Sequence, residues 1–238
     1  MLSLCEVKYS DVKQICISFI GNSICCFLPF NEPLYRLLIS EDHLIEWLTF
    51  TCLILTGFYS ASLAHKIKIQ YNYYHWFFIC FSAFCMLAGF EEISWGQRVF
   101  QVESNEFFKT YSDQKEINLH NTFQGTVGIK TKHIALIVMF LYGVIFSWRQ
   151  DKEKMLFWLK SKNFIIPPTF LIPGFLMATA LMLDFQTGYE EEIGEFFFSI
   201  CFLLMILWNH HIFDTKSFKV LNGLHLTKKE PFFERKSA

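Results

Sequence analysis

An acidic motif with one basic residue interrupts a very apolar stretch of the sequence. Residues 91–98 read Glu-Glu-Ile-Ser-Trp-Gly-Gln-Arg. If this stretch is helical, Glu91, Trp95 and Arg98 recur at i, i+4 and i+7 and share one face. Arg98 could then neutralise a facing carboxylate. Carboxylates in or near lipid are costly unless they pair, bind a cation or face the bundle interior, so the motif is a candidate functional site.

A second group of acids opens the last long apolar segment. Glu192 and Glu195 are three residues apart, and Glu191 and Glu195 are four apart, so either pair shares a helix face. The simpler interpretation is a run of solvated acids that favours the positive end of a helix dipole. Glu195 lies deeper in the segment and is the stronger candidate.

A third polar motif lies in the longest loop, where residues 114–121 read Gln-Lys-Glu-Ile-Asn-Leu-His-Asn. Apolar Ile117 and Leu119 alternate with polar residues. Such a segment could fold back over the acids with Glu116 and His120 pointing inward. The alternative is that His120 is an ordinary hydrogen-bonding loop residue.

Carboxylates together with an imidazole suit a hard or borderline divalent cation. The candidate metal ligands are Glu91, Glu92, Glu195 and His120. Equally, His120 could be a general base oriented by a carboxylate, and Arg98 could bind a phosphate or stabilise developing negative charge. The candidate catalytic residues are Glu92, His120, Arg98 and Glu116. The sequence contains no P-loop, HExxH, GxSxG or CxxCH motif, so it indicates no other cofactor-binding site.

The composition restricts the class of protein that presents these residues. Of 238 residues, 53% are hydrophobic and 18% are charged, whereas soluble domains average about 25% charged residues. This balance excludes a disordered chain, a collagen and a soluble enzyme, and the formal net charge of −1 argues against nucleic-acid binding. The eight cysteines form no CxxC pair and are interpreted as buried thiols.

Apolar segments of about 20 residues predict an all-α polytopic transmembrane helix bundle of about six spans. The expected spans lie near 15–30, 44–64, 74–98, 133–148, 164–184 and 193–213. The first segment is short and could be an interfacial helix, so five or seven spans remain as alternatives. Three prolines, at 167, 168 and 173, predict a kink in the fifth span.

Lysine and arginine positions orient this bundle. With six spans, 15 of the 21 basic residues fall on the side of the two termini, which the positive-inside rule assigns to the cytoplasm. Residues 1–14 are then a cytoplasmic N-terminus and residues 214–238 a cytoplasmic basic tail. Of the 22 acidic residues, 15 lie on the outer side or at outer span ends. The expected location is the bacterial inner (plasma) membrane, with membrane lipids as partners, and no protein partner is indicated.

Three motifs, at 41–49, 91–98 and 116–121, together resemble a family of uncharacterised polytopic bacterial membrane proteins. The resemblance covers roughly residues 38–213, and the octapeptide at 91–98 is its most specific part. It implies a membrane location and the importance of these positions, and it implies no particular reaction.

Three functions fit these observations. The leading hypothesis is an acidic site at the outer membrane face of a metal-assisted hydrolase or transferase that acts on a lipid-linked substrate. The second is a proton- or cation-coupled transporter, which a broken fifth helix favours and the lack of an inverted repeat disfavours. The third is a non-catalytic assembly partner in which the acids and Arg98 form structural ion pairs.

Overall fold

The chain is all-helical wherever its structure is described, as the sequence predicts. The computed structural model describes residues 44–100, 103–112, 131–149, 158–159, 162–183 and 190–215, and these contain helices and connections but no strand. The predicted span at 15–30, the predicted N-terminus, the predicted tail beyond residue 215 and the loop residues from 113 to 130 lie outside the described residues.

The helices differ widely in length. In chain order they are α1 (Leu44–Tyr71), α2 (Trp76–Glu92), α3 (Gln97–Phe100), α4 (Glu106–Tyr111), α5 (Thr131–Phe140, continued through a π-helical turn at Leu141–Phe146 to Ser147–Arg149), α6 (Ile172–Leu181, preceded by a 3-10 turn at Thr169–Leu171) and α7 (Glu190–Asp214). α1 extends past the predicted end at residue 64, because its last turns are polar but still helical.

Two of these helices, α1 and α7, are long and apolar enough to cross a membrane. The 28 residues of α1 and the 24 residues of Glu191–Asp214 reach mean hydropathies of 1.4 and 1.8 in their most apolar windows. The helix α2 has 17 residues, and the apolar stretches at His133–Arg149 and Thr169–Leu181 are also shorter. The structure therefore supports two candidate spans, and the number six stays a prediction.

Reciprocal hydrogen bonds join α1 to α2, which follows it as an antiparallel neighbour. The Ser60 hydroxyl donates to the carbonyl of Phe78 at 2.8 Å, and the Ser82 hydroxyl donates to the carbonyl of Gly57 at 2.8 Å. Small side chains at these positions let the two backbones approach closely, as in membrane helix pairs. These hydroxyls thus link the two helices at two successive levels.

Removing either hydroxyl is expected to lower the free energy of unfolding. Ser60→Ala and Ser82→Ala should each cost about 1 kcal/mol, the usual net contribution of one such hydrogen bond. Denaturant unfolding of the full chain in detergent, followed by circular dichroism, measures the loss. Thr51→Ala is the matched control, because the exposed Thr51 hydroxyl bonds only to the carbonyl of Trp47 in its own helix. Equal losses in all three variants would contradict the proposed interhelical role.

The helix α7 lies at the centre of the bundle, between α1 and α6. It runs parallel to α1, since Lys66 near the end of α1 lies 3.3 Å from Asp214 at the end of α7. It runs antiparallel to α6, since Gly174 lies beside Cys201 and Met182 lies beside Gly194. The core of the bundle consists of fully buried apolar side chains, which include Leu63, Phe78, Phe175, Met205 and Ile206.

The prolines of the predicted fifth span delay the start of its helix and do not kink it. Residues 164–168 are not helical, and the helix begins only after Pro168, with Pro173 in its first turn. Two side chains bond to the carbonyls of this region. The Tyr142 hydroxyl donates to the carbonyl of Ile165 at 3.1 Å, and the Trp76 indole donates to that of Lys162 at 2.6 Å. Non-helical backbone inside an apolar bundle needs such partners.

Opposite charges collect at the two ends of the bundle. The acidic end, where α1 and α7 begin and α2 ends, carries Glu46, Glu91, Glu92, Glu191, Glu192 and Glu195. The basic end, where α1 and α5 end, carries Lys66, Lys68, Arg149 and Lys162. Asp214 lies at the basic end and is paired with Lys66. This separation matches the charge asymmetry that the sequence predicts.

Candidate functional site

Three carboxylates from two helices meet at the acidic end. Glu92 is the last residue of α2, and Glu192 and Glu195 lie in the first turns of α7. One oxygen from each of the three carboxylates lies within 4.8 Å of the other two, and all three side chains are half-buried. The spacing of Glu192 and Glu195 at i, i+3 places both on the same face of α7, and the end of α2 supplies the third ligand atom.

Helix dipoles act differently on these three groups. Glu192 and Glu195 lie at the N-terminus of α7, where the partial positive charge of the helix favours a carboxylate. Glu92 lies at the C-terminus of α2, where the partial charge is negative and disfavours one. Glu46, in the first turn of α1, and Glu192 also repel the charge of Glu92. The negative charge of Glu92 is therefore the least favourable of the three, and a nearby cation would stabilise it most.

Mutual repulsion makes three negative charges this close together unfavourable. Two unit charges 4.8 Å apart repel by about 3 kcal/mol at an effective dielectric constant of about 20, and the cluster contains three such pairs. The energy falls if a cation binds between the carboxylates or if a proton is taken up. The geometry therefore fits a site for a divalent cation, or for a proton shared within the cluster.

Two of the predicted metal ligands, Glu92 and Glu195, belong to this cluster, and Glu91 does not. The Glu91 carboxylate instead accepts a hydrogen bond from the Trp95 indole at 2.5 Å. Glu192 takes the third position. Helical spacing pairs both Glu191 and Glu192 with Glu195, and it does not show which of them faces the end of α2.

A left-handed turn separates α2 from α3. Ser94, Trp95 and Gly96 have φ values of 45°, 56° and 74°, and left-handed backbone costs a non-glycine residue roughly 1–2 kcal/mol. The indole of Trp95 stacks on the ring of Phe90 with centroids 5.6 Å apart. The predicted helix over 74–98 is therefore corrected: it ends at Glu92, and the continuous face expected for the octapeptide is broken after it.

The remaining predicted site residues lie outside the described part of the structure. Glu116 and His120 belong to the loop that is not described, and the side chain of Arg98, on α3, is not described either. Their roles as proton-transfer groups, as a metal ligand in the case of His120, and as an anion-binding group stay predictions. Residues 103–112, which precede this loop, are linked to α3, because the Gln97 amide donates to the Ser104 hydroxyl at 2.7 Å.

Apolar side chains separate the cluster from the basic end. Past the acids, the buried hydroxyls of Thr49 and Thr56 bond to carbonyls of their own helix. Further along, buried Leu63, Met205 and Ile206 fill the interior. Within the described residues, polar groups for a cation thus converge at the acidic end.

The chain matches no known protein-family description, no curated protein and no solved structure.

Proposed function

We propose that this protein is a multi-pass integral membrane protein whose Glu92, Glu192 and Glu195 bind a divalent cation at the outer membrane face. The observation that carries the proposal is the convergence of one oxygen from each carboxylate within 4.8 Å. Oxygen ligands suit Mg²⁺, Ca²⁺ or Mn²⁺. A cation there would also offset the repulsion among the three acids.

The surface of the helices supports the membrane location. Large apolar side chains stay exposed on α1, α2, α5 and α7, and they include Leu55, Phe58, Ile79, Leu87, Ile137 and Leu207. In water such a surface is unfavourable, whereas lipid solvates it. By the positive-inside rule the basic end faces the cytoplasm and the acidic end faces outward. The resemblance at 91–98 supports a bacterial inner membrane.

The reaction that fits this site best is metal-assisted hydrolysis or group transfer on a lipid-linked substrate. A bound cation supplies Lewis-acid polarisation and lowers the pKa of a coordinated water. In this proposal His120 or Glu116 moves the proton, and Arg98 binds a phosphate or stabilises negative charge on the substrate. The acidic end would give a membrane-anchored substrate access without leaving the bilayer.

The cation is tested by elemental analysis of the purified full chain, together with thermal unfolding before and after chelation. We expect about one divalent cation per chain, and we expect chelation to lower the unfolding temperature, because a ligand that binds only the folded state stabilises it. Protein that purifies without metal and whose unfolding temperature is unchanged by Mg²⁺, Ca²⁺ or Mn²⁺ would remove the metal site.

A proton- or cation-coupled carrier is the second candidate, and two irregular segments of the bundle favour it. The π-helical turn at Leu141–Phe146 lies within α5, and the non-helical residues 164–168 precede the neighbouring helix α6. Transport sites are often built from irregular or interrupted helices. Cysteine introduced at Ile93, in a variant without native cysteines, distinguishes the two. A carrier exposes this position to reagents from both membrane faces, and the enzyme exposes it from one. A non-catalytic assembly partner would keep its phenotype when Glu92 is changed.

A further inference from the structure

Two lysines and two exposed aromatic residues lie at the basic end, where two contacts link them in pairs. The ammonium of Lys68 lies 3.7 Å from the ring centroid of Tyr74. Two residues later, the indole of Trp76 donates a hydrogen bond to the backbone carbonyl of Lys162 at 2.6 Å. The side chains of Tyr74 and Trp76 are 60% and 42% exposed. Lys68, Tyr74, Trp76 and Lys162 are called the lysine–aromatic patch below.

The positive charge of this patch is not neutralised by acids in the described structure. Among the residues described, neither Lys68 nor Lys162 forms an ion pair, whereas the neighbouring Lys66 is paired with Asp214 at 3.3 Å. The indole N–H of Trp76 is already donated to a carbonyl, so the ammonium groups are the donors available to a ligand. The patch therefore fits an anion that accepts hydrogen bonds from point charges.

The position of the patch identifies the source of that anion. It lies where the apolar helix α1 ends, at Tyr71, and α2 begins, at Trp76. Tyrosine and tryptophan favour the level of lipid headgroups, with the ring in the apolar region and the polar atom outside it. We propose that the lysine–aromatic patch binds the headgroups of anionic phospholipids, an inference that rests on the proposed membrane location and is independent of the cation site.

Lipid titration of the full chain in neutral detergent tests this binding. Phosphatidylglycerol is expected to raise the unfolding temperature, and phosphatidylcholine is not. Lys68→Gln and Lys162→Gln should each raise the half-saturating concentration of phosphatidylglycerol about fivefold, the loss typical for one basic residue near an anionic surface. Lys66→Gln is the matched control and should leave it unchanged, and Lys68→Arg should retain binding.

Three outcomes would overturn the proposal. They are an equal response to both lipids, equal half-saturation in the Lys68, Lys162 and Lys66 variants, and replacement of the lipid by free glycerol phosphate at the same concentration. The cation titration is run on the same variants, and the cation response should be unchanged in each of them. A wild-type chain that responds to the cation but not to phosphatidylglycerol contradicts the patch alone. Recovery of the chain in the soluble fraction after alkaline carbonate extraction contradicts the membrane location itself.

Discussion

Glu92→Gln is expected to weaken divalent-cation binding more than about 100-fold, the largest functional effect that the structure predicts. Loss of a hydrogen-bonding partner outside the ligand shell already costs 10- to 100-fold in metal affinity, and Glu92 is the only ligand that α2 contributes to the cluster. Isothermal titration with Mg²⁺, Ca²⁺ and Mn²⁺ measures the affinity. Glu195→Gln should give a loss of the same order, because it removes one of the same three carboxylates.

Glu191→Gln is the matched control for these variants. It removes the same charge from the first turn of α7, but Glu191 does not belong to the cluster of three. We also expect the cation-free Glu92→Gln protein to be more stable than the cation-free wild type, because one source of repulsion is gone. A Glu191 variant that binds as poorly as the Glu92 variant would show that only the summed charge matters, and it would contradict a defined site.

Gly143→Ala should destabilise the fold by about 3 kcal/mol, at the upper end of the range for overpacking a core. A Cβ atom at Gly143 would lie 2.1 Å from the Cγ of Phe175 and 2.8 Å from its Cβ. The Phe175 side chain is fully buried, so it cannot move into solvent to make room. Denaturant unfolding of the full chain in detergent measures the change in free energy.

Two further variants define the cause of that loss. Gly57→Ala is the matched control. The atoms nearest to a Cβ at Gly57 belong to the flexible side chain of Met86, at 3.0 Å, so this variant should cost far less. Phe175→Leu replaces the obstructing ring with a smaller side chain and should recover part of the stability lost in Gly143→Ala. A double-mutant cycle measures the coupling free energy between the two positions. If the two glycine variants lose equal stability, or the cycle shows no coupling, close packing of α5 on α6 is not the reason for glycine at 143.

The sequence predicts that the chain is helical and that acids gather at one end. It does not predict which of these acids meet or where each helix ends. Apolar length is a strong signal, because a helix surrounded by apolar groups must be apolar on most faces. Apolar length does not determine how a helix is rotated about its own axis. Glu91 and Glu92 are therefore equivalent in the sequence, whereas in the structure Glu92 joins the cluster of three acids and Glu91 accepts a hydrogen bond from the Trp95 indole.

Helix ends were harder to predict, for different physical reasons. Ser94 and Trp95 adopt a left-handed backbone that their side chains disfavour, so only Gly96 could have indicated the turn. The helix α1 continues to Tyr71 because hydropathy reports where an apolar segment ends and not where its hydrogen bonds end. The prolines at 167 and 168 predict an irregular backbone, but a kinked helix and a late helix start give the same sequence pattern.

The parallel orientation of α1 and α7 also restricts the number of membrane crossings between them to odd or even values. Both helices lead from the acidic end to the basic end, so the start of α1 and the end of α7 lie at opposite ends of the bundle. In a membrane, the number of crossings counted from α1 through α7 must then be odd. The five segments predicted between residues 44 and 213 satisfy this condition. Adding or removing a single crossing between the two long helices would reverse one of them, and their shared acidic end would be lost.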